Sequence, residues 1–146
     1  MQRFFVLVGH FAFACLVTFV LSSVVHSQFV LQGLVDIGIT VSLHDRLNMT
    51  IDDLQGLFAT LGAIISLSLL LGFSTVAAIN KFTKTRHYNT YLYPLAGSVA
   101  IWVMLAAMHP IMNITVLASA RSTAGLVSLC ICGAIGGIIF SKIRAQ

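Results

Sequence analysis

Histidines, aspartates and one isolated arginine are the side chains of this sequence that could do chemistry. All four acidic residues are aspartates, and they fall between residues 26 and 53 together with two of the five histidines. Imidazole nitrogens and carboxylates are ligands for zinc, copper and iron. His26, His44 and His109 are expected on one side of the protein and form a candidate metal site. Their spacing matches no compact metal-binding motif.

A second candidate contact joins Arg121 to an aspartate. Arg121 stands at the start of a predicted helix, where the helix dipole disfavours a cation, so a carboxylate is expected to offset it. Asp36 and Asp45 are the candidates, because Asp52 and Asp53 are typical of the first turn of a helix that Thr50 would cap. Such an ion pair would hold the loop that carries the aspartate across one end of the protein, as a lid. The alternative for Arg121 is a lipid phosphate.

His10 and His109 lie in or beside apolar segments. His10 would lie about 9 Å along its helix inside a membrane, and ionisable groups at that depth are functional candidates. His109 precedes Pro110, which should kink or end its helix. Their levels differ by roughly 15 Å, so the two cannot hold one haem. The candidate ligand-binding or polar-interior residues are therefore His10, His109, Arg121, Asp36 and Asp45, and the sequence identifies no cofactor.

Composition decides which solvent surrounds these residues. Of 146 residues, 58% are hydrophobic and only 8% are charged, whereas soluble domains have roughly 25% charged residues. The net charge of +4 comes from short basic clusters beside apolar segments, a pattern that indicates membrane topology and not nucleic-acid binding. The three cysteines lie inside apolar segments, which argues against a disulfide framework.

The apolar segments predict the elements that position the candidate residues. A hydrocarbon layer of roughly 30 Å needs about 20 apolar residues in a helix. The predicted fold is an all-α integral membrane protein, with four transmembrane helices in an up-down-up-down bundle. It forms a single domain over residues 1–146. Its helices span about residues 4–26, 52–80, 91–112 and 121–142. A partly ordered outer loop covers about residues 27–51, in which 28–36 could extend the first helix and 37–43 alternates as an extended segment does.

The basic residues predict the orientation. Six of the eight fall on one side of such a bundle, and the two others, Arg46 and Arg121, fall on the opposite side. By the positive-inside rule, both termini are cytoplasmic. The shortness of the chain and its loops favours a bacterial inner membrane. The six are Arg3, Lys81, Lys84, Arg86, Lys142 and Arg144.

Small residues recur at helical spacing on the fourth predicted helix. They let helix backbones approach closely in lipid, and they predict a helix that is central or that forms an interface between protomers. The predicted packing residues are Gly125, Ser128, Cys132, Gly133, Gly136 and Gly137.

The function predicted from these features is non-catalytic. The sequence has no paired carboxylates, nucleophile–base pair or phosphate-binding loop. We expect a protein of the lipid bilayer that binds a lipophilic ligand, or an accessory subunit that associates with itself or with another membrane subunit. Two alternatives stay open. One is a metal- or haem-linked redox protein that uses the outer histidines. The other is a small channel or transporter, which the scarcity of charge inside the helices disfavours.

Overall fold

A computed structural model of the chain describes the backbone of residues 2–83, 89–112 and 122–145, and the side chains of 5–82, 90–108 and 122–143. Within these ranges all regular structure is helical. The five helices are α1 (Gln2–Asp36), α2 (Leu43–Gly56), α3 (Phe58–Thr83), α4 (Asn89–Met112) and α5 (Thr123–Ala145). All except α2 are long and apolar enough to cross a membrane, with mean hydropathies between 1.6 and 2.2. The prediction of an all-helical protein with four candidate membrane spans is confirmed.

Large apolar side chains point away from the protein along these helices. Leu71 of α3 and Leu95 of α4 are 62% and 63% exposed. A soluble fold would bury such residues, because contact between apolar surface and water is unfavourable. In lipid, the helix itself satisfies the backbone polar groups and the outward side chains can stay apolar. The exposed surface therefore identifies a multi-pass membrane protein.

The first helix ends ten residues later than the predicted span. It continues to Asp36 and stops at Gly38, which has a φ of +89°. The Gly38 N–H donates to the Val35 carbonyl at 2.9 Å, and the Ile39 N–H donates to the Leu34 carbonyl at 3.1 Å. This is a Schellman C-cap, which requires a left-handed residue and so favours glycine. The helix thus includes segment 28–36, which the sequence allowed as an extension beyond the predicted span end near residue 26, and residues 37–38 form a turn where an extended segment was predicted.

The start of α2 also differs from the prediction. Ser42 is the N-cap, and its hydroxyl accepts from the Asp45 N–H at 3.2 Å, while the Asp45 carboxylate accepts from the Ser42 N–H at 3.1 Å. This reciprocal capping box satisfies two backbone donors and fixes the helix start eight residues before the predicted cap at Thr50. The Thr50 hydroxyl instead donates to the Arg46 carbonyl at 2.7 Å inside the helix. The prediction of Thr50 as a cap is wrong.

The capping box makes the first turn of α2 sensitive to pH. The Ser42 hydroxyl and the Ser42 N–H both donate to the Asp45 carboxylate and hold the pKa of Asp45 below its usual value. A lowered pKa stabilises the folded form above the ordinary aspartate pKa of about 3.9, and this contribution is lost as the pH falls through the folded-state pKa. We therefore expect the hydrogen-exchange protection factors of residues 44–47 to decrease when the pH is lowered below about 4. A D45N variant should lack this pH dependence, and an unchanged dependence in D45N would contradict the assignment.

Four aromatic rings, one from each long helix, form a cluster in the core: Phe11 of α1, Phe73 of α3, Tyr93 of α4 and Phe140 of α5. Phe73 stacks on Phe140 with ring centroids 4.6 Å apart, and Phe11 meets Phe73 edge-on at 6.2 Å. Tyr93 lies 5.6 Å from Phe73 and 5.2 Å from Phe140. Aromatic pairs in these geometries add to the stabilisation from burial. The cluster therefore joins all four candidate spans.

Glycines of α5 lie in direct contact with neighbouring backbones. A Cβ atom built on Gly133 would collide with the Gly97 carbonyl of α4, and one built on Gly137 would lie 2.7 Å from the Pro94 Cα. A Cβ atom on Gly136 would collide with the Thr18 hydroxyl of α1. Real Cβ atoms do not approach backbone atoms so closely, so the contacts of Gly133 and Gly137 with α4 require glycine, whereas at Gly136 the Thr18 side chain would have to move. The glycines thus serve packing inside one chain, with α5 between α4 and α1.

The ends of α4 and α5 are close to the predicted ones. Helix α4 continues through Pro110 to Met112, so it ends two residues after the proline and not at it. Ser122 precedes α5, and its hydroxyl accepts from the Gly125 N–H at 3.0 Å, as an N-terminal capping residue does. The segments 84–88 and 113–121, which carry some of the basic residues used to predict orientation, lie outside the described residues.

Candidate functional site

Buried polar side chains follow one side of α1 and end at a contact with α2. Ser23 and Ser27 are completely buried, and His26 is 9% exposed. Ser22 and Thr18, one and two turns before His26, are buried as well. Buried polar groups require hydrogen-bond partners, and α2 supplies one of them. We call the set of Ser27, Asp53, Gln28, Arg46 and Thr50 the α1–α2 contact.

The centre of the α1–α2 contact is a short hydrogen bond. The Ser27 hydroxyl lies 2.6 Å from Asp53 Oδ2 and 3.0 Å from the Ser23 carbonyl. A hydroxyl has one proton, and a carboxylate is the stronger acceptor, so the proton belongs to the Asp53 bond. Asp53 also interacts electrostatically with His26. The Ser23 hydroxyl is buried and has no hydrogen-bond partner among the described residues.

A second group of hydrogen bonds lies beside the first. Arg46 Nη1 donates to Gln28 Oε1 at 3.1 Å, and Gln28 Nε2 donates to the Thr50 hydroxyl at 3.5 Å. Arg46, Thr50 and Asp53 lie four and three residues apart, so they share one face of α2. Polar contacts hold this face against α1. The Ser27 hydroxyl binds the Asp53 carboxylate, and the Gln28 amide binds Arg46 and Thr50. The α1–α2 contact is therefore a set of hydrogen bonds that holds the two helices together.

A groove between α3 and α4 has a volume of about 680 Å³. Gly72, Ala96 and Ala100 form its floor, and Leu67, Leu71, Leu95, Val99 and Val103 line its sides. A volume in the range of about 300–1,000 Å³ is typical of small-molecule sites. The exposed apolar rim shows that the groove opens towards lipid. A smaller groove of about 440 Å³ lies between α1 and α3.

The hydroxyls in the larger groove are already satisfied. Ser68 donates to the Ile64 carbonyl at 2.8 Å, and Thr75 donates to the Leu71 carbonyl at 2.8 Å. Both bonds are formed inside α3, one turn back along the helix. A bound molecule would therefore meet apolar side chains and no free donor from these hydroxyls. Such a surface fits a hydrocarbon chain better than a polar headgroup.

The residues predicted as a polar set occupy separate places. Asp45 accepts from the N-cap residue Ser42 in the first turn of α2, and Asp36 accepts a hydrogen bond from Gln32 Nε2 at 3.1 Å on the exposed end of α1. His10 is half-buried on α1. His109 belongs to α4, but the described side chains of α4 end at Met108, and Arg121 lies outside the described residues. The tie between Arg121 and Asp36 or Asp45 thus remains a prediction.

The metal hypothesis also remains a prediction. No three His, Cys, Asp or Glu side chains come together as a metal site within the described part of the chain. His44 is exposed and lies within 3.0 Å of Asn48, with Nδ1 facing the amide nitrogen. His26 is buried beside Asp53. The side chain of His109 lies outside the described residues, so the set of His26, His44 and His109 is not tested.

Sequence reasoning missed Asp53 as the residue that fastens α2. Asp53 was assigned to a first helical turn, but it lies in the last turn of α2. The available signal was the spacing of Arg46, Thr50 and Asp53, which places three polar residues on one helix face. The matching signal on α1 was Ser23 and Ser27, one turn apart within an apolar segment. The N-cap at Ser42 sets the start of α2, and only this start shows that the polar face of α2 lies against Ser23 and Ser27.

Comparison of the chain with protein-family models, with curated proteins and with solved structures finds no match in any of the three. The four apolar helices and their exposed surfaces define its class as a multi-pass membrane protein.

Proposed function

We propose that the chain is a non-catalytic protein of the bacterial inner membrane whose four spans cross alternately as an up-down-up-down bundle. Contacts between spans support the alternation: Phe11 and Phe19 of α1 meet Phe73 and Phe58 of α3, in reverse order. On α5, Gly137 and Gly133 meet Tyr93 and Gly97 of α4, again in reverse order. The basic residues near the chain ends and between α3 and α4 support cytoplasmic termini.

The function that the geometry supports best is binding of a lipophilic ligand in the α3–α4 groove. The observation that carries this proposal is the groove itself, with its apolar rim and its satisfied hydroxyls. It extends from Ile64 to Ile79 on α3, which corresponds to about 22 Å at 1.5 Å per residue. That shape and chemistry suit a single long acyl or isoprenoid chain. A headgroup, where present, would lie beyond the groove.

Filling the groove tests this proposal. Val99 is 48% exposed and lines the groove, so the indole of V99W can occupy the space without disturbing the core. We expect wild-type protein, purified in mild detergent, to carry one apolar molecule per chain in native mass spectra. V99W should lose most of this occupancy, because the tryptophan takes the volume that the ligand needs.

The matched control is Val127 of α5, which is 55% exposed and does not line the groove. V127W adds the same side chain to a lipid-facing surface elsewhere and should keep the wild-type occupancy. Equal occupancy in V99W and wild type, or no molecule bound beyond detergent, would contradict the proposal.

An accessory subunit is the second candidate, and the same groove favours it. Small residues on the floor, Gly72, Ala96 and Ala100, are of the type found where membrane helices approach closely. A helix of another membrane subunit, or of a second copy of this chain, could lie along the groove. In that case V99W would lower co-purification of a polypeptide and not of a small molecule, so the same two variants distinguish the candidates.

A further inference from the structure

Helix α2 has a stripe of apolar side chains that the described part of the protein leaves exposed. Leu43, Leu47 and Ile51 lie four residues apart and are 81%, 65% and 51% exposed, and α2 contains no buried residue. The face that contacts α1 adjoins this stripe on one side. Exposed polar residues adjoin it on the other side, namely His44, Asn48 and Gln55. The helix therefore has three faces, each with a different surrounding.

The contacts of α2 set its direction relative to α1. Arg46 and Thr50 both contact Gln28, and Asp53 contacts the preceding residue, Ser27. Arg46 and Asp53 are about 10 Å apart along α2, whereas Ser27 and Gln28 are about 1.5 Å apart along α1. Two helices lying side by side would spread these partners along both. This pattern favours an α2 that crosses α1 at an angle, and since α1 is a candidate membrane span, such a helix would run along the membrane surface.

The chain connection sets the level of α2. Only Leu57 separates α2 from α3, and the first residue of α3, Phe58, is 58% exposed. Phe58 also packs edge-on against Phe19, with ring centroids 5.5 Å apart, so it is part of the lipid-facing surface of the spans. Leu54, on the same face of α2 as the exposed stripe, and Leu57 pack partly buried against the core, so the apolar face of α2 leads along the chain to this surface. A helix with apolar and polar faces at this level matches an interfacial helix.

From these observations we infer that α2 lies in the membrane interface, with Leu43, Leu47 and Ile51 in the acyl-chain region of one leaflet. The partner is the lipid surface, because the stripe is continuous with a surface that already faces lipid. Binding depends on burial of apolar area and not on charge, since α2 carries Asp45, Asp52 and Asp53 against Arg46 alone. The inference rests on the membrane-spanning assignment and is independent of the α3–α4 groove.

Tryptophan quenching tests the position of α2. The only native tryptophan is Trp102, so L47W and N48W in a W102F background each place one fluorophore on α2. The proteins are reconstituted into vesicles of zwitterionic phosphatidylcholine with brominated acyl chains, and iodide serves as the quencher from water. We expect brominated lipid to quench L47W several-fold more than N48W, and iodide to quench N48W several-fold more than L47W.

Two results would overturn the inference. Equal quenching of L47W and N48W by brominated lipid would show that the two faces of α2 do not differ in lipid contact, and protection of L47W from both quenchers would mean that protein covers the stripe. The unmodified protein provides the control for insertion, because Trp102 is 52% exposed on α4. Failure of brominated lipid to quench Trp102 would overturn the membrane-spanning assignment and this inference with it. Neither result depends on whether a ligand occupies the groove.

Discussion

Replacement of Gly137 by alanine is expected to destabilise the protein by about 1–3 kcal/mol, the cost typical of overpacking a tight contact. The new Cβ atom would collide with the Tyr93 carbonyl and lie 2.7 Å from the Pro94 Cα. Both neighbours are backbone atoms of α4, so they cannot move aside by rotating a side chain. The helices must separate instead, and the aromatic cluster that includes Tyr93 must open with them.

The measurement is thermal unfolding in detergent, followed by the reaction of buried thiols with a fluorogenic maleimide. Cys15 and Cys132 are 7% and 4% exposed, so they react when the helices separate. G9A is the matched control, since a Cβ atom on Gly9 meets nothing within 4 Å. It should be neutral or slightly stabilising, because alanine favours a helix over glycine by up to about 1 kcal/mol. Unfolding of G137A and G9A at the same temperature would contradict the close approach of α4 and α5 at Gly137.

Replacement of Ser27 by alanine is expected to have the second large effect, a loss of roughly 1.5–3 kcal/mol, as for a hydrogen bond to a charged group. The Ser27 hydroxyl donates to Asp53 at 2.6 Å, and Ser27 is completely buried. Alanine leaves the carboxylate of Asp53 without this donor at the contact between α1 and α2. We expect α2 to detach before the four spans unfold.

Limited proteolysis between α2 and its neighbours measures this detachment, and S27A should be cut faster than wild type while the thiol reaction changes less. S128A is the matched control, because its hydroxyl bonds only one turn back, to the Ala124 carbonyl at 2.8 Å. D53N should resemble S27A in direction, since it weakens the same bond. Equal cleavage of S27A, S128A and wild type would show that this bond does not hold α2.

The spans were predictable because lipid imposes a simple requirement on them. A membrane helix needs about 20 apolar residues, and no other feature of the sequence competes with that signal. The segment between the first two spans was harder, because two short-range signals decided it. Gly38 ends α1 through its left-handed backbone, and Ser42 starts α2 through its reciprocal bonds with Asp45. The alternation over 37–43 predicted an extended segment, and the described residues contain no strand that could pair with it.

The candidate site was only partly predictable for a related reason. The importance of glycines on α5 followed from their spacing, but their partners, Gly97 and Tyr93, depend on which helices become neighbours. Likewise, four acids were visible in the sequence, and only the start of α2 decides that Asp45 completes the capping box with Ser42 and that Asp53 faces Ser27. The α3–α4 groove gave no signal at all, because its lining resembles any apolar helix surface.

Photo-crosslinking from the α3–α4 groove tests the proposed function most directly. Benzoylphenylalanine replaces Val103, which lines the groove and is 50% exposed, or Val127, which is 55% exposed elsewhere. Irradiation in native membranes should give one dominant adduct at position 103, with the mass of a single lipophilic molecule, and only scattered membrane-lipid adducts at position 127. The same lipid adducts at both positions, or an adduct with a protein at position 103, would contradict ligand binding in the groove.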